Sequence, residues 1–384
     1  MSDRSVNNAK PRMVNLEVLR CLAMMMVVVL HYLGKGGLLP ELAGADMTGT
    51  GIAAWILEAF CIVAVNVYMM ISGYFLCNSS FKLSRLLQLW LQVWTYSVVV
   101  GLIAAVTGMV PASEVDTHYF LTLLFPVSMN HYWFMTAYVF LYLLLPLLGA
   151  GVRRMTKQQM QLTLALLLGV FCVAKTILPV RLEMDAKGYD CLWYVCVFVA
   201  AAYIRRFGVR LQESKRKAWG LYVVACLGIV AESFVFRFVY RKTGSLGLIL
   251  NISYEYNHLL PFLAAVGLFC AFLQMKATGK FAGLLAKLAP YTLGVYLLHE
   301  NMGVRYGWQN WFGADRISSI GGLLLGTLVA VIGVFSCGIL VEVIRTKIMA
   351  GLHLLLSKLC IYRKLIGKIE AADKCFGKEA AGKE

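Results

Sequence analysis

Three ionisable side chains lie within one strongly apolar stretch near the start of the chain, residues 13–34. They are Glu17, Arg20 and His31. On an α-helix, Arg20 and His31 fall within roughly 20° of the same face and about 16 Å apart along the axis. Glu17 lies within roughly 60° of Arg20 on that face. Ionisable groups in a membrane helix are costly and usually face a protein interior or a wet cavity, so this stripe is a candidate functional site.

The residue types in this stripe permit two kinds of chemistry. The imidazole of His31, with an ordinary pKa of about 6.5, can act as a general base at neutral pH. Arg20 keeps its charge and can hold a phosphate or the amide oxygens of a long donor molecule. The structural alternatives are a buried, hydrogen-bonded histidine and an Arg20–Glu17 ion pair between residues three apart. Spacing alone leaves these alternatives open.

A second apolar segment, about residues 52–76, ends in the letters ISGYFL. Asn66 and Gly73 are seven residues apart and therefore share a helix face. Gly73 permits a close approach of a helix or a ligand, and Ser72 can donate a hydrogen bond. Packing of small residues between helices explains the pattern at least as well.

Later segments carry further polar and aromatic candidates. Trp133 opens one segment, where it suits either an interfacial aromatic belt or a platform for the apolar face of a sugar. His258 lies in a polar run just before Pro261, which suggests a cavity lining. Tyr296 and His299 share a helix face with Glu300, near the outer end of their segment, where a wet and non-catalytic role is an alternative.

The composition predicts an all-α membrane protein. The chain has 384 residues, 60% of them hydrophobic and 15% charged, against about 25% charged in soluble proteins. Ten apolar segments are joined by short basic loops that alternate with mostly longer and less basic loops, so we expect about ten transmembrane helices with both termini in the cytoplasm. We assign residues 1–348 to one membrane domain and 349–384 to a basic cytoplasmic tail.

The net charge of +16 fits basic cytoplasmic loops facing anionic lipid headgroups. No nucleic-acid recognition motif accompanies it, so we expect no nucleic-acid partner. The sequence shows no zinc-ligand spacing, Gly-rich phosphate loop or Walker motif. We therefore expect no metal site and no ATP-driven activity. The eleven cysteines are scattered, without CxxC pairs, and are expected to be small buried hydrophobes.

Four segments in order resemble motifs of the acyltransferase 3 family, over essentially the whole chain. They are LEVLRCLAMMMVVVLH, VNVYMMISGYFL, HYWFMTAYVFLYLLLPLL and YTLGVYLLHEN. The chain is most similar to the stand-alone branch found with bacterial surface-polysaccharide genes. In the last motif Glu300 follows His299, where the family often has Pro.

The resemblance implies transfer of an acyl group, most often acetyl, from cytoplasmic acyl-CoA to a hydroxyl of a cell-surface or lipid-linked carbohydrate. It implies that Arg20 and His31 are the essential pair, with Glu17 at a frequent acidic position. It also implies that the second motif lines the donor path, through Ser72, Gly73, Tyr74 and Phe75. We include Asn66, Trp133, His258, Tyr296 and His299 among the candidate donor- or substrate-binding residues.

The expected partners are therefore membrane lipid, acyl-CoA as a donor substrate and a carbohydrate acceptor, with no bound cofactor. The expected location is the plasma membrane, as a multi-pass protein. The basic loops at 153–157 and 205–217 are candidates for holding the donor phosphates. His31 acts either as a base toward the acceptor hydroxyl or as the carrier of a covalent acyl group. The main alternative is a transporter or flippase for a lipid-linked sugar or acyl group, which would use the same buried charges as a pathway.

Overall fold

The computed structural model describes residues 13–44, 47–178 and 185–381. These described residues form helices, turns and loops and contain no β-strand, which confirms the all-α prediction. The basic residues at the amino terminus that we expect in the cytoplasm, Arg4, Lys10 and Arg12, lie outside the described residues.

Seventeen α-helices are described. The first nine are α1 Val14–Lys35, α2 Gly49–Cys61, α3 Ala64–Leu76, α4 Leu83–Val106, α5 Thr117–Leu124, α6 Trp133–Leu143, α7 Leu145–Arg154, α8 Lys157–Leu168 and α9 Ala174–Ile177. The remaining eight are α10 Cys191–Phe207, α11 Lys215–Thr243, α12 Leu259–Leu273, α13 Lys280–Leu288, α14 Thr292–His299, α15 Trp308–Trp311, α16 Ile320–Leu356 and α17 Cys360–Ala381.

Eight helical segments in the described chain are long and apolar enough to cross a membrane. A ninth is added when α6 and α7, which meet at 58°, count as one broken span. Pro146 at the start of α7 explains that bend, because its ring cannot fit inside a continuing helix. The protein is a helical membrane protein, while the count of ten spans and the cytoplasmic placement of both termini remain predictions.

Helix α1 lies in the middle of the bundle. It contacts six other helices, α2, α3, α12, α13, α14 and α16. Twelve of its 22 residues are buried, around more than half of its circumference, as is typical of a helix surrounded by protein. In the polar stripe of α1, Glu17 is buried, whereas Arg20 and His31 stay partly exposed, and all three contact protein side chains.

Two glycines allow close approaches between helices that carry motif or site residues. A Cβ atom on Gly73 would lie 3.0 Å from the Cα of Phe198, where α3 crosses α10. A Cβ atom on Gly338 would lie only 2.6 Å from the Cα of Val295, where α16 crosses α14. Small residues at such crossings let two membrane helices approach with their backbones nearly in contact.

The carboxy-terminal part of the chain folds back on the bundle. Helix α16 continues through the predicted domain boundary at residue 348 and ends at Leu356. Helix α17 then contacts α4. Most of the described Lys and Arg side chains lie at this end of the bundle, where α1 begins and where α3, α10 and α12 end. We call it the basic end.

Candidate active site

His31 lies on the last turns of α1, at the wall of a cavity with about 470 Å³ of empty space. Apolar and aromatic side chains dominate the lining. The aromatic members are Tyr68, Trp133, Phe134, Tyr256 and Tyr296. Besides α1, three helices (α3, α6 and α14) and the loop before α12 contribute to one apolar chamber, and the His31 imidazole is an ionisable group in its wall.

Two side chains contact the same nitrogen of His31. Its Nδ1 atom lies 2.9 Å from Nε2 of His299 and 3.2 Å from Oε1 of Glu300. The two rings are 5.1 Å apart between centroids. His299 is the last residue of α14, and Glu300 follows it directly. The junction after α14 therefore fixes the orientation of the His31 ring.

The hydrogen bonds assign the proton positions of the two histidines. Nδ1 of His299 lies 2.6 Å from the carbonyl oxygen of Val295, which can only accept, so this nitrogen carries the proton. In the neutral ring, Nε2 of His299 is then an acceptor, and Nδ1–H of His31 donates to it. Nε2 of His31 is left unprotonated, with its lone pair available to a group in the cavity. This is the tautomer that a general base requires.

Glu300 is a buried carboxylate with a cationic partner. Its side chain forms an ion pair with Lys35, the last residue of α1. Its backbone carbonyl accepts a hydrogen bond of 3.1 Å from Nε of Arg305. Burial raises the pKa of the Glu300 carboxyl, but the positive charges that His31 and Lys35 can carry lower it further, to about 2. The carboxylate is therefore ionised at neutral pH and can stabilise a protonated His31.

Glu300 and Lys35 are the site residues that the sequence analysis missed. The sequence left a wet position near the outer end of the segment as one alternative for Glu300, whereas this residue is only 3% exposed. One signal was available in the sequence. Lys35 lies four residues after His31, so the two share a helix face, and a cation beside a candidate base calls for a counter-ion.

The ligand-type atoms of His31, His299 and Glu300 lie within 4.8 Å of one another, a grouping that could hold a cation. Sequence spacing did not show it, because the three residues come from two distant segments. Lys35 already neutralises the Glu300 carboxylate, and its ammonium would repel a metal ion placed there. We therefore treat the group as a hydrogen-bonded base and assign it no metal.

Arg20 forms the ion pair that the spacing predicts as a structural alternative. Its Nη1 atom lies 2.8 Å from Oε2 of Glu17. Its side chain keeps 27% of its surface exposed, and it is about 16 Å from His31 by helix rise. On the neighbouring helix α3, the Tyr68 ring lines the cavity. Arg20 is not among the residues that line the cavity, and the structure places it away from His31.

Comparison with known proteins identifies the family. A family model described as an acyltransferase domain matches residues 13–342. The chain belongs to the acyltransferase 3 family. The matched range includes every residue that lines the cavity. No curated protein and no solved structure matches the chain. Membership confirms the resemblance predicted from the four motifs and makes this chain a membrane acyltransferase of that family.

The second acyltransferase 3 motif lies on α3, where its residues differ in environment. Asn66 is fully buried and holds its neighbours: its Nδ2 donates to the Tyr256 carbonyl at 2.8 Å, and its Oδ1 accepts from Trp193 Nε1 at 2.8 Å. The Tyr74 hydroxyl accepts a 2.8 Å hydrogen bond from Arg205. Gly73 packs against α10. These contacts are structural, and the donor path assigned by resemblance stays a prediction.

Two further motif residues are more accessible. Ser72 is partly exposed, and Phe75 keeps 36% of its surface exposed. Neither belongs to the set that lines the His31 cavity.

The aromatic residue at the start of α6 lies at the chamber, as a carbohydrate platform requires. The Trp133 ring stacks at 20° on Tyr256, with centroids 5.9 Å apart, and lies 4.3 Å from the Tyr189 centroid. Tyr189 is 43% exposed, so this group connects the surface to the cavity. Tyr296 lines the same cavity.

His258 has a different environment from the other candidates. It caps α12, where its Nδ1 accepts from the backbone N–H of Leu260 at 3.4 Å. Its Nε2 lies 3.5 Å from Oε2 of Glu232. His258 is fully buried and is not among the residues of the His31 cavity, so the structure does not bring it together with His31.

Proposed function

We propose that the protein is a membrane O-acyltransferase that moves an acyl group, most often acetyl, from cytoplasmic acyl-CoA to a hydroxyl of a cell-surface or lipid-linked carbohydrate. One observation carries this proposal. The Nδ1 atom of His31 is held by His299 and Glu300, which leaves Nε2 as a base at the wall of an apolar chamber in an acyltransferase 3 chain.

The reaction uses His31 first as a base and then as an acid. Nε2 takes the proton of the acceptor hydroxyl while the hydroxyl oxygen attacks the thioester carbonyl carbon. The tetrahedral intermediate collapses, the C–S bond breaks, and the CoA thiolate takes the proton from the imidazolium. Glu300 stabilises the imidazolium between these two steps, because its negative charge lies 3.2 Å from Nδ1.

The two substrates enter from opposite ends of the chamber. The donor comes from the basic end past Arg20, and its thioester reaches the cavity near Tyr68. The acceptor comes from the other end, where Tyr189 and Trp133 offer aromatic faces to a sugar. The apolar lining suits a short acyl chain and excludes water that would hydrolyse the thioester. We place the protein in the plasma membrane with its basic end in the cytoplasm.

Mass spectrometry of surface glycans tests this function. Cells that lack the protein are complemented with the natural chain, His31→Ala, Arg20→Ala or the exposed-histidine control His118→Ala. We expect acyl groups on the glycan with the natural chain and with His118→Ala only. Glycans acylated normally in cells with either site variant, at equal protein levels in the membrane, would refute the assignment.

A transporter or flippase gives a different result in sealed vesicles. It would move an unmodified substrate across the membrane, whereas an acyltransferase attaches the acyl label covalently to the acceptor. Covalent attachment that depends on His31 therefore separates the two functions.

A further inference from the structure

A second cavity lies between α3 and α4 at the basic end of the bundle. It is open to solvent, with about 1020 Å³ of empty space, and most of its lining is polar. Lys82 and Arg85 lie on its rim with exposed side chains, and Ser84, Gln88 and Tyr142 contribute hydroxyl and amide groups. The chemistry of this lining suits a polar, anionic ligand and contrasts with the apolar chamber at His31.

A carboxylate from the far end of the chain binds Ser84, one of the residues that line this cavity. Oδ2 of Asp373, on α17, accepts a 2.5 Å hydrogen bond from Oγ of Ser84. Its Oδ1 accepts from the backbone N–H of Ser84 at 3.2 Å. Beside it, the Phe376 ring packs at 66° on Phe81, with centroids 4.8 Å apart. Helix α17 is thus held over the cavity by one anionic contact and one aromatic contact.

The Asp373 carboxylate lies at a place where the surrounding protein favours a negative charge. The Asp373 carboxylate is bound at the first turn of α4, a helix of 24 residues. Backbone N–H groups and the helix dipole favour negative charge at such a position. Lys82 and Arg85 add two positive charges beside it. A phosphate placed there would receive the same hydrogen bonds from Ser84 and stronger attraction from both cations.

Helix α6 connects this cavity to the active chamber. Trp133 lies at the chamber and Tyr142 at the polar cavity, nine residues later, which corresponds to about 13 Å of helix rise. A donor with phosphates at one end and a thioester at the other is an extended molecule that can bridge this separation. The two cavities therefore match the two ends of acyl-CoA.

Several other basic side chains at this end already bind protein groups. Arg153 donates to the Cys77 carbonyl at 3.2 Å. Nη1 of Arg206 donates to the carbonyls of Val152 and Met155. Arg205 donates to Tyr74. These arginines belong to the loops that we considered for the donor phosphates, and binding phosphate there would compete with existing bonds that join the helices.

We propose that the polar cavity at the start of α4 binds the phosphate groups of the acyl-CoA donor, with α17 as an internal strap whose Asp373 occupies the phosphate position in the free protein. This inference rests on the proposed function for its choice of donor. Donor binding displaces Asp373 and releases α17 from α4. The strap thereby makes occupancy of the active chamber depend on donor concentration.

Binding of coenzyme A to the full-length protein in detergent tests the proposal without relying on catalysis. We expect Asp373→Asn to tighten the Kd about threefold to tenfold and Arg85→Gln to weaken it by a similar factor. The matched controls on α17, Glu370→Gln and Arg363→Gln, make the same charge changes at exposed positions and should leave the Kd unchanged. Pantetheine, which has no phosphate, should bind equally to Arg85→Gln and to the natural chain.

A second readout follows the strap itself. Coenzyme A should increase amide hydrogen exchange across residues 360–381 of the natural chain, and Asp373→Asn should show that increase before any ligand is added. Unchanged coenzyme A affinity in both cavity variants, or no binding by the natural chain, overturns the proposal. The proposal is also overturned if Arg85→Gln loses binding of phosphatidylglycerol while its affinity for coenzyme A is unchanged. That result would assign the cavity to a lipid headgroup. His31→Ala should bind coenzyme A normally. If the Asp373 and Arg85 variants shift the affinity for coenzyme A as expected but the natural chain transfers no acyl group, only the proposed function is refuted.

Discussion

At the scale of single residues, the proposed chemistry depends on which nitrogen of His31 is free. Two acceptors, His299 Nε2 and the Glu300 carboxylate, face Nδ1. A histidine held in this way presents its other nitrogen as a base, and a carboxylate beside Nδ1 stabilises the charge that the ring gains. The adjacent Lys35 keeps that carboxylate ionised. Each of these residues therefore has a role that a substitution can test separately.

Glu300→Gln should lower the rate of acyl transfer about 10²-fold to 10⁴-fold, because the amide cannot stabilise a charged His31. The Kd for coenzyme A should not change, because Glu300 is at the opposite end of the chamber from the donor phosphates. Turnover and binding, measured on the same preparation, check this prediction. A variant with weakened binding and a normal rate at saturation would contradict the role given to Glu300.

The pKa of Glu300 also predicts how stability depends on pH. Its pKa is about 2 in the folded protein, below the ordinary value of 4.5. Between these pH values the unfolded chain binds more protons, so the stabilisation is complete above about pH 4.5 and is lost as the pH falls toward 2. Thermal unfolding in detergent from pH 6 to 3 measures this effect. Glu300→Gln should show a shallower decline than the natural chain, and an identical slope would count against an ionised Glu300.

At the scale of elements, the sequence predicts the helices better than their partners. The stripe on α1 follows from helical periodicity, and the Arg20–Glu17 pair follows from a spacing of three residues. The contact between His31 and His299 joins positions 268 residues apart. No local pattern indicates that the end of α14 packs beside the end of α1, so the sequence indicates a counter-ion for Lys35 but does not identify it as Glu300.

Gly338→Ala should disturb the site through the helix that carries His299. A Cβ atom there would lie 2.6 Å from the Cα of Val295, and the Val295 carbonyl holds the His299 ring. We expect a stability loss of about 1 to 3 kcal/mol together with reduced acyl transfer. Thermal unfolding and turnover, measured side by side, provide the check.

The matched control for this variant is Gly351→Ala on the same helix, where a Cβ atom meets nothing within 4 Å. It should be neutral or slightly stabilising, because alanine favours the helix. Equal behaviour of the two variants would show that the α14–α16 crossing does not position His299.

At the scale of the whole molecule, composition and charge predict the membrane class and a basic end, and the structure adds where each cavity lies. The apolar chamber holds His31, and the polar cavity is at the start of α4 beside α17. The sequence could not predict the strap, because its contact joins Ser84 to Asp373, 289 residues later. Four ordered motifs identified the family; three of them lie within one helix or at one helix end, and the third spans the bent pair α6 and α7.

The predicted orientation can be measured with the natural cysteines of α17. Cys360 and Cys375 are exposed, and the positive-inside rule places them in the cytoplasm. A membrane-impermeant maleimide should label them in inside-out vesicles and leave them unlabelled in intact cells. Trp311→Cys, exposed near the other end, should be labelled in intact cells. Labelling of α17 from outside would invert the topology and the direction of donor entry.

The most direct test of the central claim follows an isotopic acyl label through inside-out vesicles that contain the glycan acceptor. Acetyl-CoA with a labelled acetyl group is added on the cytoplasmic face, and covalent label on glycan hydroxyls is measured for the natural chain and for His31→Ala. We expect labelled glycan with the natural chain and none above background with the variant, at equal protein levels. Equal labelling by both, or label that crosses the membrane without covalent attachment, would contradict the central claim.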